Sequence, residues 1–292
     1  MKIAVASGKG GTGKTTVAVA LSLLIDNSIY VDMDVEEPNG KIFLKPEIKD
    51  SIVYNELIPK INEDICTFCG KCADACVYNA ISIIKPIKKA MFFEELCHSC
   101  GACAYVCPVE GAIKEVDKRK GIINKGIFGK SSNINFIEGI LDIGEPSAVP
   151  LISGINKMIN DDKLYILDAP PGTSCPVVAT LEESDYVVMV TEPTPFGLND
   201  LKLALSIVKE LDKPHGIVIN KYEENNTLVN EFVRENDIEI IGTIPFDRKI
   251  AENYSKGIAI IDFSPVIKES FLNIIGKIEK VLNKKLVQGK ES

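Results

Sequence analysis

The octet Gly8-Lys9-Gly10-Gly11-Thr12-Gly13-Lys14-Thr15 constrains the fold more than any other stretch of the 292 residues. It fits the pattern G-x-x-x-x-G-K-[ST] and lies between an apolar run, Lys2–Ser7, and an amphipathic one, Lys14–Ile25. A loop of this kind is the turn from a buried strand into a helix. Its glycines let backbone N–H groups face a phosphate chain, and the helix N-terminus adds the positive end of its dipole. The spacing assigns Gly8, Gly10, Gly11, Thr12, Gly13 and Thr16 to the cradle. Lys14 is expected to reach the β- and γ-phosphates, and the Thr15 hydroxyl to bind Mg²⁺. A chance glycine-rich turn is the plain alternative, and it would need neither flanking element.

Apolar runs alternate with amphipathic ones along most of the chain, which indicates a doubly wound, mainly parallel α/β sheet. Strands are expected at Lys2–Ser7, Ser28–Asp32, Leu164–Asp168, Tyr186–Thr191, Gly216–Asn220 and Glu239–Thr243, with Ile258–Ile261 a candidate edge strand. Helices are expected at Lys14–Ile25, Val149–Asn160, Leu198–Leu211, Thr227–Glu235, Arg248–Tyr254 and Val266–Leu286. Gly121–Phe128 and Asn135–Ile143 read as a β-hairpin.

The alternation breaks from about Ile61 to Lys118. Of nine cysteines, eight fall between Cys66 and Cys107, and each of Cys97, Cys100, Cys103 and Cys107 follows its counterpart by 31 residues. Ile65-Cys66-Thr67-Phe68-Cys69-Gly70-Lys71-Cys72 thus repeats as Leu96-Cys97-His98-Ser99-Cys100-Gly101-Ala102-Cys103, a short duplicated motif. Both halves have the spacing C-x₂-C-x₂-C-x₃-C, which is similar to that of bacterial two-cluster ferredoxins. In that pattern three thiolates hold one [4Fe–4S] cube and the fourth cysteine crosses to the other. The implied sets are Cys66, Cys69, Cys72 with Cys107, and Cys97, Cys100, Cys103 with Cys76. Paired Zn²⁺ sites are the rival, but zinc ribbons separate their C-x₂-C knuckles by longer loops. Val77 stands where the ferredoxin pattern has proline after Cys76, which bears on loop geometry and not on ligation.

Lys9-Gly10-Gly11-Thr12-Gly13-Lys14-Thr15-Thr16 resembles the deviant P-loop of the MinD/ParA/Mrp superfamily, to which the nitrogenase iron protein also belongs. The resemblance covers nearly all of the chain outside the cysteine segment. It implies an ATPase with a MinD-like fold, in which Lys9 reaches across a dimer interface to the partner's nucleotide; the bland reading of Lys9 is a solvated loop lysine. Val31-Asp32-Met33-Asp34 is similar to the family's switch I, so Asp34 would orient the attacking water and Asp32 support the magnesium shell. Leu167-Asp168-Ala169-Pro170-Pro171-Gly172-Thr173 resembles Walker B and switch II. There Asp168 would hold Mg²⁺ through water, and the Gly172 amide would sense the γ-phosphate. Asn220, Pro245 and Asp247 resemble adenine-binding positions.

These readings imply an ATPase domain over residues 1–60 and 119–292, with an α+β ferredoxin-like domain inserted over residues 61–118. ATP, Mg²⁺ and two [4Fe–4S] clusters are the expected cofactors. The expected partners are a second copy or a similar paralogue, and a redox or metallocofactor-handling protein. A net charge of −8 disfavours nucleic acid. No run of 18 or more apolar residues and no signal peptide is present, so a cytoplasmic protein without membrane contact is expected. Cys175 is expected to be a small buried residue, and the final helix, with Ile267, Phe271, Ile274, Ile275, Ile278, Val281 and Leu282, to cover the sheet. His98 and His215 have no recognisable partners. A spatial-organising ATPase would need a membrane or DNA anchor, and a glutamine-dependent amide synthase a further amidotransferase domain; neither is evident.

Overall fold

The computed structural model describes residues 1–160, 162–224, 227–283 and 286. The chain forms two compact units. One comprises Met1–Ile52, Ile123–Ile140 and the chain from Leu151 onward; the other comprises Val53–Ile122 and Leu141–Pro150.

The elements up to the return strand are β1 (Lys2–Ala6), α1 (Lys14–Leu24), β2 (Ser28–Asp32), α2 (Lys41–Leu44), β3 (Glu47–Ile61), α3 (Lys71–Asp74), β4 (Ile81–Ile84), β5 (Lys89–Phe92), α4 (Ala102–Tyr105) and β6 (Ile113–Ile127). They continue with β7 (Phe136–Leu141), α5 (Val149–Met158), β8 (Leu164–Asp168), α6 (Cys175–Leu181), β9 (Tyr186–Thr191) and α7 (Pro195–Glu210). The last are β10 (His215–Tyr222), α8 (Leu228–Glu235), β11 (Ile240–Pro245), α9 (Arg248–Tyr254), α10 (Ile260–Phe263) and α11 (Pro265–Leu282).

The main sheet runs β11-β10-β9-β1-β8-β2-β7-β6-β3, and its pairings from β11 through β7 are parallel. Both faces are covered. Ile3 and Val5 of β1 and Val188 and Val190 of β9 join the core cluster that holds α1 and α11. The alternate residues Ala4, Val187 and Met189 point the other way and are equally buried. This is why the strands read as continuous apolar runs.

The expected hairpin is present: β6 and β7 are neighbours, and the Asn135 amide donates to the Gly126 carbonyl at 3.1 Å. Strand β3 was not legible, because exposed Glu47, Lys49, Asp50, Asn55 and Lys60 are spread over both of its faces around few buried positions. The candidate edge strand at Ile258–Ile261 is corrected: Ile260 begins α10, and β11 is the edge. A four-residue apolar run has no period that separates strand from helix, and here Ala259 and Ile260 enter the core beside α11.

Helix α11 starts at Pro265 after the Ser264 cap, whose hydroxyl accepts from the Ile267 amide. Ile267, Phe271, Ile274, Ile275 and Ile278 form its buried stripe, each such side chain contributing roughly 1.5–3 kcal/mol of burial. Val281 is exposed, and the helix ends at Leu282 with Asn283 in the left-handed region. Lys284 and Lys285, within the helix expected from sequence, lie outside the described residues. Among the described residues no helix is long and apolar enough to cross a membrane.

The second unit contains β4 and β5, paired antiparallel, and two short helices that begin alike. Gly70 precedes α3 at φ 92° and Gly101 precedes α4 at φ 71°, while Phe68 and Ser99 share φ near 50°. The sequence repeat is therefore a repeat of backbone shape, with left-handed residues at matching positions.

Candidate functional site

The octet turns from β1 into α1. Gly11 and Gly13 adopt φ 77° and 96°, which side-chain-bearing residues rarely take. A Cβ on Gly13 would also run into the Asn220 amide, whose nitrogen donates to the Thr12 carbonyl at 2.7 Å. Gly8 is needed for a different reason: a Cβ there would strike the Asp200 carbonyl. No side chain caps α1, so its first N–H groups are left for a ligand.

These groups border a cleft of about 360 Å³ in the first unit. Of the residues singled out in the sequence, Gly10, Gly11, Gly13, Lys14, Thr15, Thr16, Asp34, Asn220, Pro245 and Asp247 line it. Gly8 and Thr12 support the loop from behind, and Gly172 is absent from the lining although Pro171 is present. The Gly172 amide donates to the Ser7 carbonyl at 3.1 Å instead. The lining also includes Lys221 and Phe246 beside those positions, and Glu37, Asn39, Ile250 and Tyr254, which sequence reasoning did not single out.

Asp32 and Asp168 lie behind the loop as register partners at the ends of β2 and β8, and both are almost wholly buried. Asp32 accepts from the amides of Asp34, Asn39 and Gly40 at 3.3, 3.1 and 3.0 Å. The Tyr30 hydroxyl bridges the pair, at 2.8 Å from Asp168 Oδ2 and 3.3 Å from Asp32 Oδ2. Burial and the Asp168 charge hold the Asp32 carboxyl well above its ordinary range. Asp168 is raised by burial too, against Lys14 and the hydroxyls of Thr15 and Tyr30. Burial pushes Asp34 up to about 6, opposed by Lys14. Asp168 Oδ1 is buried with no hydrogen-bond partner. A buried carboxylate oxygen left without a hydrogen-bond partner fits a magnesium ion or its water.

Lys9 faces elsewhere. Its ammonium is ion-paired with Glu192, which also pairs with Lys221 at 2.9 Å. Glu192 and Tyr30 were invisible in the sequence because they matter only through partners far along the chain; a carboxylate closing the strand β9 was the one available sign.

In the second unit the eight clustered thiols sort into two cavities. Cys66, Cys69, Cys72 and Cys107 line one. Cys76, Cys97, Cys100 and Cys103 line the other. The amides of Phe68, Ser99 and Ala80 donate to the sulfurs of Cys66, Cys97 and Cys76 at 3.3, 3.4 and 3.2 Å. Such bonds favour thiolates, whereas burial raises Cys72 and Cys97 and takes Cys103 to about 11. Among the described residues no three His, Cys, Asp or Glu side chains are gathered as a single-ion site; each set of four rings a space instead. An all-sulfur donor set of four around such a space fits a cluster with several irons. His98 stacks on Tyr78, with centroids 3.6 Å apart, at the wall of the second cavity.

Cys175 corrects the expectation of burial. It is exposed at the first turn of α6, where Val177 and Leu181 take the inward positions.

A glycine-rich strand-to-helix loop, paired buried carboxylates and a cleft with a distal apolar wall define a P-loop nucleotide-binding domain. The chain belongs to the CobQ/CobB/MinD/ParA nucleotide binding domain family, whose model matches residues 3–260. Two uncharacterized proteins of Methanocaldococcus jannaschii, MJ0578 and MJ0579, are each 31% identical to it. They align over 97% and 90% of this chain and 98% and 93% of their own lengths. An iron-sulfur cluster carrier protein of Pyrococcus abyssi is 25% identical over 97% of this chain and 86% of its own. The septum site-determining protein MinD of Pyrococcus horikoshii, solved with Mg-ADP, shares the fold: TM-score 0.57 at 18% identity, over 96% of both chains.

Proposed function

We propose that this chain is a dimeric ATPase whose nucleotide state controls electron transfer, or the assembly and delivery of iron–sulfur or other metallocofactors. One observation carries the reading: a nucleotide cleft and two rings of four thiols occur in one polypeptide. The likeness to an iron-sulfur cluster carrier supports it. The ATPase domain is assigned to residues 1–60 and 119–292, and the inserted ferredoxin-like domain to residues 61–118.

In this reading Lys14 and the loop amides bind the phosphates. The Thr15 hydroxyl ligates Mg²⁺, with Asp168 and Asp32 holding its waters, and Asp34 orients the attacking water. For Gly172 to meet a γ-phosphate, its amide must leave the Ser7 carbonyl. Asn220, Pro245 and Asp247 hold the base. Cys66, Cys69, Cys72 and Cys107 would hold one [4Fe–4S] cluster, and Cys76, Cys97, Cys100 and Cys103 the other. When bound, these clusters supply one-electron storage at low potential. The partner is a second copy or a paralogue, and two relatives of equal identity in one organism suit the latter.

Protein prepared without oxygen should carry about eight irons per chain. Replacing Cys69 and Cys100 together by Ser should remove most of that iron while ATP binding survives. Two zinc ions and no iron after anaerobic reconstitution would overturn the assignment.

A further inference from the structure

Two lysines, Lys9 of the phosphate loop and Lys221 beside Asn220, are both tied to Glu192. This carboxylate closes β9, with its side chain 12% exposed. One oxygen takes the Lys9 ammonium, and the other takes the Lys221 ammonium at 2.9 Å. Lys9 is held at its backbone as well, since the Ser7 hydroxyl donates to its carbonyl at 2.6 Å. Lys221 follows Asn220 near the end of β10 with φ 53°, a left-handed position within the strand, and it borders the cleft. Glu192 is itself fixed by packing: a Cβ on Gly197 would strike its carbonyl, so the first turn of α7 lies directly against it.

We infer that Glu192 is a latch that stores Lys9 in the single subunit and must release it before two subunits can share their nucleotides. This rests on the dimeric ATPase reading above. Lys9 does not line its own cleft, and an ammonium paired inside its own chain is unavailable to a neighbour's phosphate. The exchange is electrostatically feasible, because a γ-phosphate is a stronger anion than one carboxylate already shared with Lys221. Lys221 then keeps Glu192 paired after Lys9 departs, so no partly buried carboxylate is stranded. The second lysine is what makes the release inexpensive.

Glu192→Gln keeps the size of the side chain and removes its charge. Losing one partly exposed ion pair from each of two subunits should tighten ATP-dependent dimerisation about 2- to 30-fold, measured by sedimentation. The gain should vanish when Lys9→Ala is added, and a thermal melt should show both variants folded. A second measurement needs no dimer. Amine labelling of nucleotide-free protein, read by mass spectrometry, should find Lys9 protected in the wild type and labelled several-fold faster in Glu192→Gln. Unchanged Lys9 labelling, or a dimer no tighter than wild type where wild type does dimerise, would overturn the latch. Wild type that stays monomeric with ATP, while Lys9 labelling responds as expected, would instead remove the dimer reading and leave the Glu192 tether standing.

Discussion

Tyr30→Phe removes one oxygen from the floor of the nucleotide site and little else. The ring stays in place, because it is fully buried and stacks on Phe136 at a centroid distance of 5.7 Å. What is lost is the hydroxyl that donates at 2.8 Å to Asp168 and lies 3.3 Å from Asp32. A hydrogen bond to a charged, buried acceptor contributes about 1.5–3 kcal/mol, and the longer contact adds little. The loss should sit at the upper part of that range, since two adjacent buried carboxylates lose the one dipole placed between them. In urea this corresponds to a midpoint lower by roughly 0.5–1 M, with the slope unchanged. The assay is urea unfolding of nucleotide-free protein, followed by circular dichroism. Excess magnesium and ADP should raise the midpoints of both proteins, and the difference between them should shrink, because a cation takes over part of the hydroxyl's work. A midpoint within about 0.1 M of wild type without ligand would refute the bridge as a stabilising element.

Asp34→Asn should stabilise nucleotide-free protein at pH 7.5 and confer no advantage at pH 4. Asp34 has its folded pKa raised from 3.8 to about 6, so stability falls as pH rises through that window and stays lowered above it. A constant difference from pH 4 to 7.5 in denaturant titrations would contradict this. Lys14→Ala should weaken ATP binding by roughly 10- to 100-fold in calorimetry, whereas Lys9→Ala should bind ATP normally and remain monomeric. If nucleotide and clusters communicate, ATP must move a cluster's midpoint potential, by about 59 mV for each tenfold difference in ATP affinity between oxidised and reduced protein. Equal potentials with no nucleotide, ADP and a non-hydrolysable ATP analogue would rule out that linkage.

The sequence carried the parallel core because its strands are buried on both faces, and runs such as Lys2–Ala6 and Tyr186–Thr191 have no polar interruption. It carried the loop and the thiol spacing because those chemistries depend on neighbours a few residues apart. Strand β3 escaped because a largely exposed strand has charged residues on both faces and so no apolar alternation to read. Tyr30 and Glu192 escaped for a different reason. Tyr30 acts on Asp168, 138 residues away, and Glu192 on Lys9 and Lys221, and only the fold brings such pairs together. Cys175 was misplaced because a lone cysteine has no period, and its neighbours Val177 and Leu181 took the inward face of α6.

The exchange of Cys76 and Cys107 between the two thiol cavities makes the cysteine segment indivisible. A fragment ending at Val106 would keep Cys66, Cys69 and Cys72 close together, yet their cavity would lack the wall that Cys107 supplies. A fragment beginning at Val77 would likewise deprive Cys97, Cys100 and Cys103 of Cys76. Neither half supplies all four thiols of its own cavity, although each carries the whole repeat unit. Cys76, in the first half, is part of the wall of the second half's cavity, so oxidation there would alter the site of the other half.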